Sequence, residues 1–273
     1  MSDTAVLALD WGTTRLRAFR MAEDGAILER RDAPAGIRAI DDGDFEDAFH
    51  TVIGDWLPAT GEPAPLIVLG TESGHAIWIA PGLSLSEGGR ADVMRGEELQ
   101  IFGALEQLGP GRHLLCLPGT HSKWALLEDG IIRDFHTYMT GELFDVLRRH
   151  SILGTTIEHA VWSDAGFEKG LAASRSDAGL LAHLFTVRAG TLLETLPVEE
   201  SGSYLSGLLI GSEVASATRD LAAGSEVCII GNPDLTDLYT PAVARHGIRC
   251  RQLGEYTGAH GLFRLAKGLR KRL

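Results

Sequence analysis

An acid, a glycine and two hydroxyls follow an apolar run near the start of this chain, at Asp10-Trp11-Gly12-Thr13-Thr14. The surrounding stretch Leu7–Phe19 reads as a buried strand, a tight turn and a second strand. Gly12 lets the backbone approach a ligand closely. Thr13 and Thr14 add hydroxyls to the turn N–H groups, a donor-rich arrangement suited to phosphate. Asp10, at the strand end, is a hard oxygen ligand of the kind that magnesium or its waters accept. Arg15 and Arg17 follow and supply local positive charge.

The pattern recurs. Leu115-Cys116-Leu117-Pro118-Gly119-Thr120-His121-Ser122-Lys123-Trp124 is again strand, Gly-Thr turn, strand. Glu23-Asp24-Gly25 trails the first copy and Glu128-Asp129-Gly130 the second, each before another apolar run. A unit repeated at this distance predicts a duplicated domain. Two such turns facing each other would grip one polyphosphate, with the N–H groups of Gly119 and Thr120 and the charge of Lys123 on the second side.

These turns need elements to hold them. Thr4–Asp10, Arg15–Met21 and Ala26–Asp32 read as strands, and Phe45–Leu57 as a helix with apolar spacing at Phe45, Phe49, Val52 and Trp56. Leu66–Leu69 and Ala76–Pro81 read as strands, Glu87–Asp92 as a surface loop, and Met94–Leu108 as a helix closed by Gly109-Pro110. The repeated unit fills Arg112–Thr137. Helical spacing then dominates, at Glu142–His150, Ala165–Ala173, Leu180–Leu196 and Tyr204–Ala223. Strands at Glu226–Ile230 and Ile248–Leu253 alternate with helices at Leu235–His246 and Ala259–Arg270. Hairpins mixed with strand–helix alternation predict an α/β chain with mixed sheets. The lobe boundary is expected near Gly109–Gly111, giving an N-terminal lobe over 1–109 and a C-terminal lobe over 110–273.

Composition narrows the function classes. An apolar fraction of 44% with 23% charged residues is ordinary for a globular chain. The net charge of −12 argues against nucleic acid or an anionic membrane surface as partner. Cys116, Cys228 and Cys250 form no Cys-x-x-Cys pair and read as buried free thiols of a reducing compartment. No basic-then-apolar leader opens the chain and no apolar run reaches membrane-spanning length, so a cytoplasmic location is expected. The Gly-x4-Gly-Lys loop, the Gly-x-Gly-x-x-Gly helix start and the Gly-x-Ser-x-Gly elbow are absent.

The paired Gly-Thr hairpins with a later strand ending in Gly231-Asn232 resemble the superfamily of sugar kinases, actin and the ATP-driven chaperones. More specific stretches are Val93-Met94-Arg95-Gly96-Glu97-Glu98, Pro118-Gly119-Thr120-His121-Ser122-Lys123-Trp124, Thr140-Gly141-Glu142-Leu143 and Leu205–Glu213. With them the chain resembles the 2-dehydro-3-deoxygalactonokinase family across most of its length. The resemblance implies an actin-like, ribonuclease H-like fold with a duplicated mixed-sheet core and a nucleotide cleft between lobes. It implies ATP-dependent phosphorylation of the 6-hydroxyl of 2-dehydro-3-deoxy-D-galactonate in galactonate breakdown, with magnesium. The partners are then a sugar acid and ATP, and the oligomeric state stays open between monomer and homodimer.

The same resemblance suggests roles. Asp10 becomes the magnesium-side carboxylate, and Gly12, Thr13, Thr14 and Arg15 contact phosphate. Gly119, Thr120, His121 and Lys123 form the second phosphate turn, and Gly231 and Asn232 contact adenosine. Kinases of this superfamily need a carboxylate near the sugar hydroxyl. Glu97 fits that position, with Glu98 and Glu142 as competitors, and Arg95 can pair with a substrate carboxylate. One departure is clear. Family members carry an insert after the strand equivalent to Leu66–Gly70, whereas here Gly70-Thr71-Glu72-Ser73-Gly74 passes almost directly to Trp78. Its loss leaves two alternatives beside the leading reading: a kinase of the same fold for another small sugar acid, and a catalytically silent nucleotide-binding regulator.

Overall fold

The computed structural model describes residues 6–12, 15–40, 44–57, 66–68, 77–78, 80–87, 89–158, 160–254 and 256–270. Two compact units divide the chain, one of residues 1–109 with 254–273 and one of residues 110–253. The closing helix therefore packs in the first unit, although the sequence reading leaves it in the C-terminal lobe.

The first unit is built on five strands, β1 (Val6–Trp11), β2 (Leu16–Met21), β3 (Ile27–Ala33), β4 (Leu66–Val68) and β5 (Ile77–Trp78), in the order β3-β2-β1-β4-β5. The first three form an antiparallel meander, and β4 then runs parallel to β1. Alternate residues of β1 point to opposite faces, and both faces are covered. Val6 and Ala8 pack with Leu99 of α2 (Glu97–Leu108) and with Ala259 and Leu262 of α9 (Thr257–Arg270). Leu7 and Leu9 pack with Phe49, Val52 and Ile53 of α1 (Phe45–Ile53). The α1 helix starts at Asp44, whose carboxylate accepts the Asp47 N–H at 3.0 Å. Helices α2 and α9 touch backbone to backbone. A Cβ on Gly103 would lie 1.7 Å from the Thr257 carbonyl oxygen, and one on Gly261 would lie 1.8 Å from that of Leu99.

Glu87–Asp92, expected to be a loop, belongs to an antiparallel hairpin of β6 (Leu83–Glu87) and β7 (Arg90–Met94). Leu83 and Leu85 alternate with serines in β6, but the face they share with Met94 also carries Asp92 and Arg90, and Val93 on the other face is exposed, so neither face reads as a buried stripe. Helix α2 starts at Glu97, not Met94, because Met94 still pairs with Leu83. The α1 helix ends at Ile53, and Gly54–Trp56 tightens into a 3₁₀ turn. The expected strand Ala76–Pro81 is a strand only at Ile77–Trp78, and Gly70–Gly74 lies outside the described residues.

The second unit repeats the design. Strands β8 (Arg112–Leu117), β9 (Ser122–Glu128), β10 (Ile131–Tyr138), β11 (Glu226–Ile230) and β12 (Arg249–Leu253) stand in the order β10-β9-β8-β11-β12. Here too a three-strand antiparallel meander is followed by parallel strands. Asp129 and Gly130 turn β9 into β10 with φ of 49° and 80°, the positive values a tight hairpin turn needs at both central residues. Between β10 and β11 lie α3 (Thr140–His150), α4 (Gly154–Ile157), α5 (Asp164–Ala173), α6 (Leu180–Leu192) and α7 (Ser201–Ala217), and α8 (Pro233–Ala244) joins β11 to β12. Helices α5 and α7 cross at a pair of glycines. A Cβ on Gly170 would sit 2.2 Å from the Tyr204 carbonyl oxygen, and one on Gly207 would sit 2.2 Å from that of Phe167. Gly207 therefore serves helix packing.

The cysteines all lie in strands and none is in a disulfide. Burial pushes the Cys116 and Cys228 thiols up. Among the described residues no helix is long and apolar enough to cross a membrane.

Candidate active site

In the second unit, β8 and β11 are parallel neighbours, so their C-terminal ends share one edge of the sheet. Pro118–His121 leaves the end of β8, and Gly231-Asn232 leaves the end of β11. The two are in contact, since a Cβ on Gly231 would lie 3.5 Å from Cδ of Pro118. Open α/β sheets place ligands at this edge. Gly119 has open space where a Cβ would stand. Behind the turn, α3 begins. Its Gly141 is pressed onto the turn so closely that a Cβ would meet the Gly119 carbonyl oxygen at 2.7 Å. The Glu142 N–H donates to the Thr120 carbonyl at 3.0 Å, and the Glu142 carboxylate pairs with Nε2 of His121. His121 is thus held by a carboxylate on the first turn of α3. Lys123 is buried inside β9, beneath the turn and not on its exposed tip.

A buried polar chain supports this turn from below. The hydroxyls of Ser122 and Tyr239 are 2.9 Å apart. The Tyr239 hydroxyl donates to Oε2 of Glu213 at 2.7 Å, and the Trp124 indole N–H donates to Oε1 of Glu213 at 2.7 Å. The Thr140 hydroxyl also reaches Glu213. Burial raises the Glu213 carboxyl above its usual range, and these donors oppose the shift. The sequence reading did not single out this network. Its signal was an acid at position 213 inside the apolar run Leu208–Val214, since a lone charge there requires partners.

A cavity of about 810 Å³ opens beside the turn, lined by Gly119, Thr140 and Gly141 at one end and by Leu235, Leu238 and Tyr239 of α8 at another. Trp162 and Ser206 contribute to its wall. The volume is in the range of small-molecule sites. Asn232 caps α8, its side-chain oxygen accepting the Asp234 N–H at 2.8 Å, with Pro233 following in the first turn.

In the first unit, the Gly12 N–H donates to the Arg15 carbonyl at 2.9 Å, which closes the β1–β2 turn. Thr13 and Thr14 lie outside the described residues. Asp10 faces Arg17 across the hairpin, with Oδ2 2.5 Å from Nη2. The same oxygen would be 3.9 Å from a Cβ at Gly258, in the first turn of α9, where the positive end of the helix favours a carboxylate. Arg15 pairs with Asp32 at 2.7 Å and is largely exposed. At the start of α2, Gly96 has φ of 106°, a value that favours glycine. The Glu97 carboxylate accepts the Arg95 N–H at 3.1 Å, and that of Glu98 accepts the Gly96 N–H at 2.7 Å. Glu98 is 3% exposed and its Oε1 has no partner among the described residues. Burial raises its carboxyl above the usual range.

The sequence matches the 2-keto-3-deoxy-galactonokinase family over residues 10–74 and 67–265. The chain belongs to that family. The "Probable 2-dehydro-3-deoxygalactonokinase DgoK1" of Rhizobium meliloti (strain 1021) is 36% identical, the match covering 89% of this chain and 90% of that one. The 2-dehydro-3-deoxygalactonokinase of Escherichia coli (strain K12) is 35% identical over 88% of this chain and 90% of its own. A crystal structure from Sinorhizobium meliloti, assigned as a 2-dehydro-3-deoxygalactonokinase, superposes with a TM-score of 0.85 at 30% identity, over 98% of this chain and 100% of that one. The fold expected from the paired hairpins, the duplicated mixed sheet of the sugar kinases, is the fold observed. The two matched family stretches overlap at 67–74.

Proposed function

We propose that this protein transfers the γ-phosphoryl group of ATP to the 6-hydroxyl of 2-dehydro-3-deoxy-D-galactonate. Membership of a kinase family, at 35% and 36% identity to curated relatives over most of the chain, carries this reading. The geometry supports it in parts. The cavity beside Gly119 suits an adenosine moiety, with Leu235, Leu238 and Tyr239 of α8 along one side and Gly231-Asn232 leading into that helix. The N–H groups at Gly119 and Thr120, backed by the first turn of α3, suit the phosphates. His121 is oriented by Glu142, and Lys123 adds positive charge below the turn. In the first unit Gly12, Thr13, Thr14 and Arg15 take the corresponding role toward the transferring group, Arg15 after leaving Asp32.

Magnesium fits what is present. Among the described residues no three His, Cys, Asp or Glu side chains gather into a metal cluster. Asp10 offers a single carboxylate with one oxygen on Arg17. A cation held mainly by water and phosphate needs no more than that from the protein, and magnesium is such a cation. When bound it neutralises charge on the phosphates. Asp10 would hold it, and Arg17 would hold Asp10 in place.

Glu97 is the proposed proton acceptor for the sugar hydroxyl. It opens α2 and is accessible, whereas Glu98 is buried on the Gly96 N–H and Glu142 is committed to His121. Arg95, exposed beside it, would pair with the substrate carboxylate. A coupled ADP-release assay across a panel of deoxy-keto sugar acids tests the proposal. Turnover is expected to be highest with 2-dehydro-3-deoxy-D-galactonate. Preference for another sugar acid would move the substrate assignment, and ATP binding without any sugar-dependent ADP release would leave a silent regulator in its place.

A further inference from the structure

The second unit has another cavity, of about 690 Å³, which the sugar kinase reading does not use. Arg175, Arg219 and His246 line it. Arg175 follows α5 and Arg219 follows α7, so two separate helix ends bring guanidinium groups to one place, with His246 after α8 beside them. This chain carries a net charge of −12, and most of its described arginines have a carboxylate within reach. Arg175 and Arg219 have none among the described residues. Two acids border the cavity. Asp177 is exposed and makes no ion pair among the described residues, and the Glu213 oxygens are taken by Trp124 and Tyr239. The Arg175 charge is felt at His246, where burial first and that charge second hold the imidazole below its usual value. Thr140, Gly179 and Leu180 complete one side, at the starts of α3 and α6, neither of which has a side-chain cap.

We propose that this cavity binds a small oxyanion of the phosphorylated-metabolite class, held by Arg175 and Arg219, at a site separate from the nucleotide cavity. Unpaired guanidinium groups in an acid-rich protein are matched by phosphate or carboxylate in fork geometry. The two cavities share Thr140 and Leu209. Glu213 lines this cavity and also holds Tyr239, which lines the other. An occupant beside Thr140 therefore alters the support of the Gly119 turn, and the coupling must be reciprocal. The anion site itself stands whether or not the kinase reading does.

Titration calorimetry on the full-length protein tests this, with inorganic phosphate and 3-phosphoglycerate as probes. Each is titrated with and without a saturating non-hydrolysable ATP analogue, which fills the nucleotide cavity. The expected result is binding of 3-phosphoglycerate in either case, weakened about tenfold or more in Arg175→Ala/Arg219→Ala. Equal binding of inorganic phosphate would also support the site and show that the oxyanion alone is read. The double variant should keep its melting temperature and its ADP-release rate without added anion. Equal affinity in variant and parent, or no binding of either probe up to about 10 mM, would overturn the proposal. Loss of catalysis with retained anion binding would count against the kinase reading alone.

Discussion

Asp10 stands at the end of β1 and pairs with Arg17 across the hairpin. It is tied to Arg17 at 2.5 Å through one oxygen, and its other oxygen is the one proposed to face a cation. Asp10→Asn removes the charge and keeps the shape, so the hairpin should survive while phosphoryl transfer falls by about 10³-fold. ADP release and a thermal melt, read on the same preparation, check the two halves of this expectation. Glu98 offers a different test. Its raised carboxyl means that the folded state keeps the proton to higher pH than the unfolded chain does. In the window between the ordinary glutamate value and the raised one, the native state binds more protons, so stability falls as pH rises. Glu98→Gln keeps an oxygen for the Gly96 N–H and has no proton to lose. Its denaturation midpoint should change less with pH across that window, with a gain over the parent at the alkaline side.

At the scale of elements, glycines and one polar chain decide the packing. Helices α5 and α7 meet where Gly170 and Gly207 each leave room for the other's backbone. A methyl at Gly207 would stand 2.2 Å from the Phe167 carbonyl oxygen, so Gly207→Ala must push the helices apart. The expected cost is about 3 kcal/mol, at the upper end for overpacked cores, measurable as a lower urea midpoint with unchanged slope. The Ser122–Tyr239–Glu213–Trp124 chain ties α7 and α8 to the strand that carries the second turn. Tyr239→Phe leaves Glu213 short of a donor and takes from Ser122 its 2.9 Å partner. Stability should drop by about 1–3 kcal/mol, and ATP should bind more weakly because the turn loses its support.

At the scale of the whole molecule, each hydrophobic cluster among the described residues belongs to one unit. The second unit is a continuous segment with two clusters of its own, and it contains the Gly119 turn, Gly231-Asn232 and the adjoining cavity. The fragment 110–253 should therefore unfold cooperatively and bind an ATP analogue, seen as a melting temperature that rises with analogue concentration. Failure to bind would show that nucleotide affinity needs residues of the first unit. The first unit is assembled from both ends of the chain, with α9 packed on α2 and β1. Truncation before α9 should unfold it, because Val6 and Ala8 would lose their cover.

The repeated strand–turn–strand units, the Asp-Gly turns and the helix starts at Phe45 and Leu180 were legible in the sequence because each rests on local backbone rules and short-range periodicity. The family was legible because its motifs are contiguous. The hairpin at Leu83–Met94 was hidden because its strands are only five residues each and the face of Leu83, Leu85 and Met94 also carries Asp92 and Arg90. Three further features belong to the tertiary structure alone. Helix α9 joins the first unit, Glu213 reaches Trp124 and Tyr239, and Arg175 and Arg219 line one cavity. Each joins residues far apart in the chain, and such pairings depend on which surfaces the sheets leave to be covered, which no local pattern encodes.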